Sequence, residues 1–324
     1  MTKVLGIGNA LVDIMTLLES DDTLQQFNLP KGSMQLVDAI TSDKVNKGTN
    51  HLKKTIASGG SAANTIHGLA RLGIITGFIG KVGNDELGDF FAKDLLKSGI
   101  QPLLQRSGTP SGKAMALISP DSERTFATYL GAAVELSPAD LTDEIYHGYD
   151  YFHIEGYLVQ NHALIEQAVK LAKKNGLKVS LDLASYNVVE DNLDFLKTIV
   201  AKYVDIVFAN EEEAKSFTGK EPHEAVHVFG DRCEIAVVKV GKAGSLIKKD
   251  GQLTRVDAIK ADVVDTTGAG DLFASGFLYG LINGFPLDKC GKIGSVLAGK
   301  TIEGIGPKMT DEQWTTVKKI IAGL

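Results

Sequence analysis

Cysteine is nearly absent from this chain. Only Cys233 and Cys290 occur among 324 residues, with no paired spacing, which argues against a disulfide framework and for a reducing compartment such as the cytoplasm. No run approaches the roughly 20 apolar residues of a membrane span. The N-terminal segment meets Asp13 too early for a secretory signal. Positive charge is also scarce. Lys and Arg total 34 against 40 Asp and Glu, a net charge of −6, which argues against a broad nucleic-acid-binding surface. Internal repeats, low-complexity tracts and an interdomain linker are missing too. These absences leave a soluble, cytoplasmic chain, long enough for one large domain or two smaller ones.

Glycine, by contrast, is plentiful: 35 of 324 residues, about 11%, against a usual value of about 7%. Much of it stands where apolar runs end. The segment Asp265-Thr266-Thr267-Gly268-Ala269-Gly270-Asp271 follows Ala261 to Val264, read as the end of a strand, and precedes Leu272 to Leu281. That last run is apolar on nearly every face and therefore a buried helix. Free amides at Gly268, Ala269 and Gly270 would start it, and such an end attracts anions. Asp271 in the first turn is stabilised as a carboxylate, hence ionised at neutral pH and able to take a proton. An anion cradle beside a poised carboxylate suggests phosphoryl transfer; an ordinary capped helix is the plainer alternative.

Elsewhere the chain alternates strands and helices. Lys3 to Ile7 reads as a buried strand followed by Asn9, and Asp13 just beyond its carboxyl end can hold a pair of sugar hydroxyls or cap a turn. Leu11 stands where a dinucleotide fingerprint needs its third glycine. Thr55 to Ser58 reads as a strand, then Gly59 and Gly60 open a helix with Ser61 as its cap and Asn64 in its first turn. Strands are expected at Met15–Leu18, Ser33–Val37, Ala114–Ser119 and Arg124–Tyr129, the last two forming a hairpin around Pro120-Asp121-Ser122. From Asp150 the rhythm is steady, with strands at Tyr151–Ile154, Lys178–Leu183, Asp205–Phe208 and Ile235–Val240. Strands spaced by helices imply a parallel sheet with ligands at its carboxyl rim. The candidates Asn9, Gly59, Gly60, Asn210, Gly241 and Gly268 each follow a strand.

Two motifs point elsewhere. Gly294 to Thr301 matches the P-loop letter for letter, but Leu287–Ile293 before it reads as helix rather than strand. His223-Glu224-Ala225-Val226-His227 matches a zinc-peptidase signature, with Cys233 further on, yet Pro222 and Gly230 confine it to a short connecting helix. Asn210-Glu211-Glu212-Glu213 opens a helix, either as a plain cap or as a carboxylate holding magnesium through water. Val240 to Gly244 is a glycine-bearing loop between strands, suited to a nucleotide or to a simple hairpin.

Together these residues resemble the ribokinase/PfkB family of sugar and nucleoside kinases. Gly59 to Asn64 resembles its N-terminal signature, Asp265 to Asp271 its C-terminal one, and the likeness runs from the first strand to the last helix. The resemblance implies an α/β fold, a three-layer α/β/α sandwich with a mostly parallel central sheet and a small β-sheet lid. Residues 1–11, 50–108 and 134–324 would form the large domain, and 12–49 and 109–133 the lid. It implies Asp271 as the base and the amides of Gly268, Ala269 and Gly270 as the anion hole for the γ-phosphoryl of ATP. Asn9, Asp13, Gly59, Gly60 and Asn64 would hold the acceptor. Asn210, Glu213, Gly241, Gly244 and Ser295 would hold the nucleotide, Glu213 reaching Mg²⁺ through water. Asp265 and Thr267 would help hold a monovalent cation such as K⁺, as in some relatives. Gly8 to Asp13, Tyr129-Leu130-Gly131-Ala132-Ala133 and Leu181 to Ser185 resemble the adenosine-kinase branch, although Lys239 stands where threonine is common. A nucleoside, adenosine first, is the expected acceptor, with ribose or a ketohexose such as fructose as the alternative. Both monomer and homodimer remain open, and no nucleic-acid or membrane partner is expected.

Overall fold

In the computed structural model, which describes residues 1–121 and 123–324, the short apolar runs become fourteen strands in two sheets. In chain order they are β1 Lys3–Ile7, β2 Leu11–Leu17, β3 Met34–Leu36, β4 Lys54–Gly59, β5 Ile75–Gly83, β6 Ile100–Ser107 and β7 Gly112–Ile118. There follow β8 Arg124–Tyr129, β9 Tyr151–Glu155, β10 Lys178–Asp182, β11 Ile206–Ala209, β12 Ile235–Lys239, β13 Ser245–Lys249 and β14 Gln252–Val256. The larger sheet runs β14-β13-β12-β11-β10-β9-β1-β5-β6, parallel from β12 to β6, with β13 and β14 turning back antiparallel. Its central strands are buried on both faces, as their near-continuous Val, Ile and Leu content demands. Helices cover both sides, giving the expected α/β/α layers. Among the described residues no helix is long and apolar enough to cross a membrane.

The smaller sheet runs β3-β8-β7-β2-β4 and is assembled from two separate stretches of chain, as expected. Three details differ from the sequence reading. The strand sought at Met15–Leu18 begins already at Leu11, so Asp13 lies within β2 instead of in a turn after β1. β4, placed with the large domain from its sequence, pairs antiparallel with β2 and belongs to the smaller sheet. Residues 39–48, taken as part of a β-flap, form the helix Ala39–Gly48, capped by Asp38 accepting from the Thr41 amide. The hairpin turn expected at Pro120-Asp121-Ser122 includes Ser122, which lies outside the described residues, although its flanking strands β7 and β8 do pair antiparallel. The chain crosses between the sheets four times, at 8–10, Gly60, 108–111 and residue 130.

β6 was not foreseen. Its sequence, Ile-Gln-Pro-Leu-Leu-Gln-Arg-Ser, is too polar for a central strand, and Pro102 is tolerated because β6 lies at the sheet's edge. The strand expected at Ala261–Val264 is not formed. That stretch is irregular, with Val263 and Val264 exposed, and the amides of Val264 and Asp265 donate to the Ile302 carbonyl at 2.8 and 3.1 Å.

The helix Ala269–Ile282 is buried, as its uniform apolarity requires. Phe277 on it meets Phe208 of β11 edge to face, with centroids 5.6 Å apart. Its other side packs on the helix Leu287–Thr301 through glycines: a Cβ at Gly276 would lie 2.7 Å from the Ile293 carbonyl oxygen, and one at Gly294 would lie 2.9 Å from that of Phe273. Gly294, the first letter of the P-loop look-alike, is thus a helix-crossing glycine. Phe277→Ala should cost about 3–5 kcal/mol of stability, because Phe277 is fully buried. Leu96→Ala at an exposed position should stay within about 0.5 kcal/mol; denaturant unfolding of the two variants checks both.

Candidate active site

The parallel registers align the strand ends into one rim. Ile7 lies opposite Ile154, Asp182 opposite Glu155 and Phe208, and Ala209 opposite Val238. Asn9, Glu155, Asp182, Asn210 and Lys239 therefore stand side by side. Above them opens a continuous cavity of about 1120 Å³, which also touches the smaller sheet at Leu11, Asp13 and Phe126. Gly268, Ala269, Gly270 and Asp271 lie in its wall.

Gly268 adopts φ 77°, the left-handed turn that starts the helix without a Cβ clash. Ala269 donates its amide back to the Thr266 carbonyl at 3.2 Å, while among the described residues the Gly268 and Gly270 amides have no acceptor. Two of the three expected amides are therefore free for an anion, and Ala269's is shared. Asp271 accepts from Ser61 Oγ at 2.7 Å and Asn64 Nδ2 at 2.9 Å. Ser61 is thus a ligand of the carboxylate and not the helix cap, a place taken by Gly60 with φ 98°. The two helices meet closely because Gly68 faces Ser275, whose hydroxyl donates to the Thr65 carbonyl at 2.7 Å. Burial pushes the Asp271 carboxyl up to about 6, while the bonds from Asn64 and Ser61 hold it down. It stays largely ionised at pH 7, but with a proton affinity set by burial more than by the helix start. Asn64 is only 5% exposed, and its Oδ1 has no partner among the described residues. An unsatisfied acceptor in a cavity wall suits a ligand hydroxyl.

Asp13 points from β2 into the same cavity. Burial raises it to about 7, opposed by the nearby Lys308 ammonium, which burial in turn lowers to about 8. Gly59 stands behind it, since a Cβ there would fall 2.3 Å from the Asp13 carboxyl group. Asn9 does not reach the cavity either. Its amide and Nδ2 donate to Glu155 Oε1 at 3.2 and 2.6 Å, and Glu155 Oε2 accepts from the Ala62 amide at 3.1 Å. Gly59 and Asn9, expected as direct ligands, instead brace Asp13 and the start of the Ser61–Arg71 helix. Burial lifts Glu155 to about 7 against those hydrogen bonds.

At the other end, Asn210, Glu213, Gly241, Gly244 and Ser295 all line the cavity. Asn210 and Glu213 cap the helix Glu211–Thr218 reciprocally: Asn210 Oδ1 accepts from the Glu213 amide at 2.8 Å, and both Glu213 oxygens accept from Asn210 at 2.7 Å. Burial raises Glu213 to about 7. With each oxygen already bonded, Glu213 suits a divalent ion held through water better than one bound directly. Asp265 is more fully engaged. Oδ1 accepts from the Thr267 amide and hydroxyl at 3.0 and 2.8 Å, and Oδ2 takes the Gly306 amide at 2.7 Å together with the Arg124 guanidinium of β8. Only Thr267 of the proposed cation pair faces the cavity, and a guanidinium already stands at the Asp265 carboxylate.

Sequence reasoning passed over three groups. Glu155 and the ion pair of Asp182 Oδ2 with Lys239 Nζ at 2.9 Å end strands at the rim, and Arg124 opens β8 of the smaller sheet. For Glu155, Asp182 and Lys239, a charged residue closing a strand was the available signal. Of the other motifs, His223 is paired with Arg255, and the Cys233 thiol donates to the Phe229 carbonyl. Gly294 to Thr301 lies inside a helix.

Known proteins resemble this chain over most of its length. The pattern of the pfkB family carbohydrate kinases matches residues 35–313. The 5-dehydro-2-deoxygluconokinase of Bacillus subtilis is 32% identical over 256 residues, covering 74% of this chain and 79% of that protein. A probable sugar kinase from Rhizobium etli superposes with a TM-score of 0.88 at 35% identity over 99% of each chain. The adenosine kinase of Sinorhizobium meliloti does so with a TM-score of 0.86 at 34% identity, over 98% of this chain and 99% of its own. The chain belongs to the pfkB family of carbohydrate kinases and is a phosphotransferase.

Proposed function

We propose that this kinase transfers the γ-phosphoryl group of ATP to the primary hydroxyl of a nucleoside, adenosine first. The observation that carries this reading is the acceptor end of the cavity, where Leu11 and Phe126 of the smaller sheet present apolar and aromatic surface beside Asp13. A purine face suits such a wall, whereas a free sugar wants polar partners throughout. The whole-length likeness to the adenosine kinase of Sinorhizobium meliloti supports it. The likeness to a 5-dehydro-2-deoxygluconokinase favours the second reading, a sugar or sugar-acid acceptor handled by the same machinery.

In this mechanism Asp13 and Asn64 Oδ1 hold acceptor hydroxyls, and Asp271 receives the proton of the attacking one. The free amides of Gly268 and Gly270 face the charge on the γ-phosphoryl. Asn210, Glu213, Gly241, Gly244 and Ser295 hold the nucleotide. Glu213 would hold Mg²⁺ through water, and the ion would supply charge neutralisation on the phosphates. Phosphoryl transfer is largely dissociative, so Asp271 need only collect the proton late, and positioning outweighs base strength. The smaller sheet acts as a lid that excludes water and limits hydrolysis of ATP.

Three outcomes test the reading. In a panel of nucleosides, pentoses, ketohexoses and sugar acids followed by ADP release, adenosine should give the highest kcat/KM; a sugar preferred by tenfold or more would transfer the assignment to the second reading. Phe126→Ala should raise the nucleoside KM roughly 10-fold or more, the value of one aromatic contact, while the KM for ATP stays unchanged. Asp271→Ala should lower kcat about 10²–10⁴-fold, the usual contribution of a positioned base. Because only its carboxylate form accepts a proton, kcat of the unaltered enzyme should fall as pH drops through about 6. A pH profile flat down to 4.5 would contradict that role.

A further inference from the structure

We propose that Lys239 is a further catalytic residue, its ammonium contacting the transferring phosphoryl group, and that Asp182 is the positioning residue that holds it there. The inference rests on the kinase assignment but not on the identity of the acceptor. Lys239 closes β12, lines the cavity, and leaves only 16% of its side chain exposed. Its Nζ lies 2.9 Å from Asp182 Oδ2 and 3.1 Å from the point where a Cβ on Gly270 would stand. The ammonium therefore stands over the segment that offers the free amides. An ammonium has three donors. Among the described residues only Asp182 takes one, which leaves the others for a ligand.

Asp182 is itself fixed. Its Oδ1 accepts from the Ala184 amide at 3.0 Å, and Ala184 adopts φ 68°, a left-handed conformation that alanine rarely takes. The surroundings are otherwise negative. Burial works against the charge on Lys239, but Asp182, Glu213 and Asp271 more than offset it and raise its pKa. One cation among three carboxylates at the meeting point of acceptor and nucleotide makes the approach of a polyphosphate tolerable. During transfer the bond from the acceptor oxygen to phosphorus forms and the bond to the ADP oxygen breaks. The acceptor proton passes to Asp271, and ADP leaves with the bonding electron pair. Lys239 faces the oxygens whose charge grows in that step, so its contribution belongs to the transition state more than to ground-state ATP.

The test compares Lys239→Met with the double variant Asp182→Asn/Lys239→Met, which removes both members of the ion pair so that Asp182 is not left as a carboxylate without its hydrogen-bonded cation. Using the best acceptor of the wild-type enzyme, kcat should fall about 10²–10³-fold in both, the usual loss for one preorganised donor. The affinity for ADP with aluminium fluoride, a mimic of the flattened phosphoryl group, should weaken by a comparable factor. Binding of the acceptor and of the non-hydrolysable nucleotide AMP-PNP should change less than threefold. A purely structural ion pair would give the opposite pattern: a double variant with kcat within threefold of wild type, or one that loses AMP-PNP and aluminium fluoride complexes equally, overturns the proposal. Thermal unfolding of the double variant confirms that a folded protein is being compared.

Discussion

Everything at the rim depends on one carboxylate being held out of water without being neutralised. Asp271 lies at the first turn of a buried helix, takes hydrogen bonds from Ser61 and Asn64, and feels Lys239 nearby. Burial favours the protonated form, whereas the two donors and the ammonium favour the ionised one. The balance leaves a group that is charged at neutral pH yet takes a proton more readily than a solvated aspartate. Phosphoryl transfer asks for no stronger base than that.

Keeping that balance requires two helices from distant parts of the chain to stay at contact distance. Small residues achieve this: Gly68 against Ser275 on one side, and Gly276 and Gly294 against neighbouring carbonyls on the other. The same buried helix is tied to the sheet by Phe277 against Phe208. Fold stability and site geometry are thus carried by the same contacts. The carboxylates behind the site follow the same logic. Glu155 orients Asn9 and the start of the Ser61–Arg71 helix, and Asp182 orients Lys239.

The sequence was informative wherever a residue's role is local. β8 was legible to the residue, Gly268 announced its turn, and Asn210 announced its helix cap, though not the return bonds to Glu213. Apolar runs broken by glycine also placed the parallel strands, and with them the rim. What stayed hidden depends on partners far along the chain. Asn9 looked like a ligand because its true partner, Glu155, is 146 residues away. Asp182 and Lys239 are 57 residues apart, so their pairing could not be read from either one. Asp13 was found, but its setting was not, since pairing with β4 and β7 extends β2 back to Leu11. The polar edge strand β6 and the helix Ala39–Gly48 escaped because tertiary context outweighs weak local patterning.

The chain leaves one sheet for the other at 8–10, Gly60, 108–111 and residue 130, through links of three and four residues at 8–10 and 108–111 and longer ones at 60–74 and 130–150. Two of them flank Asp13 and the Ser61–Arg71 helix, so any swing of one sheet against the other pivots close to the reacting groups. In such an arrangement the far margin of the smaller sheet sweeps widely, whereas atoms beside the pivot barely travel. Arg124, at the end of β8 away from residue 130, ties that far margin to Asp265.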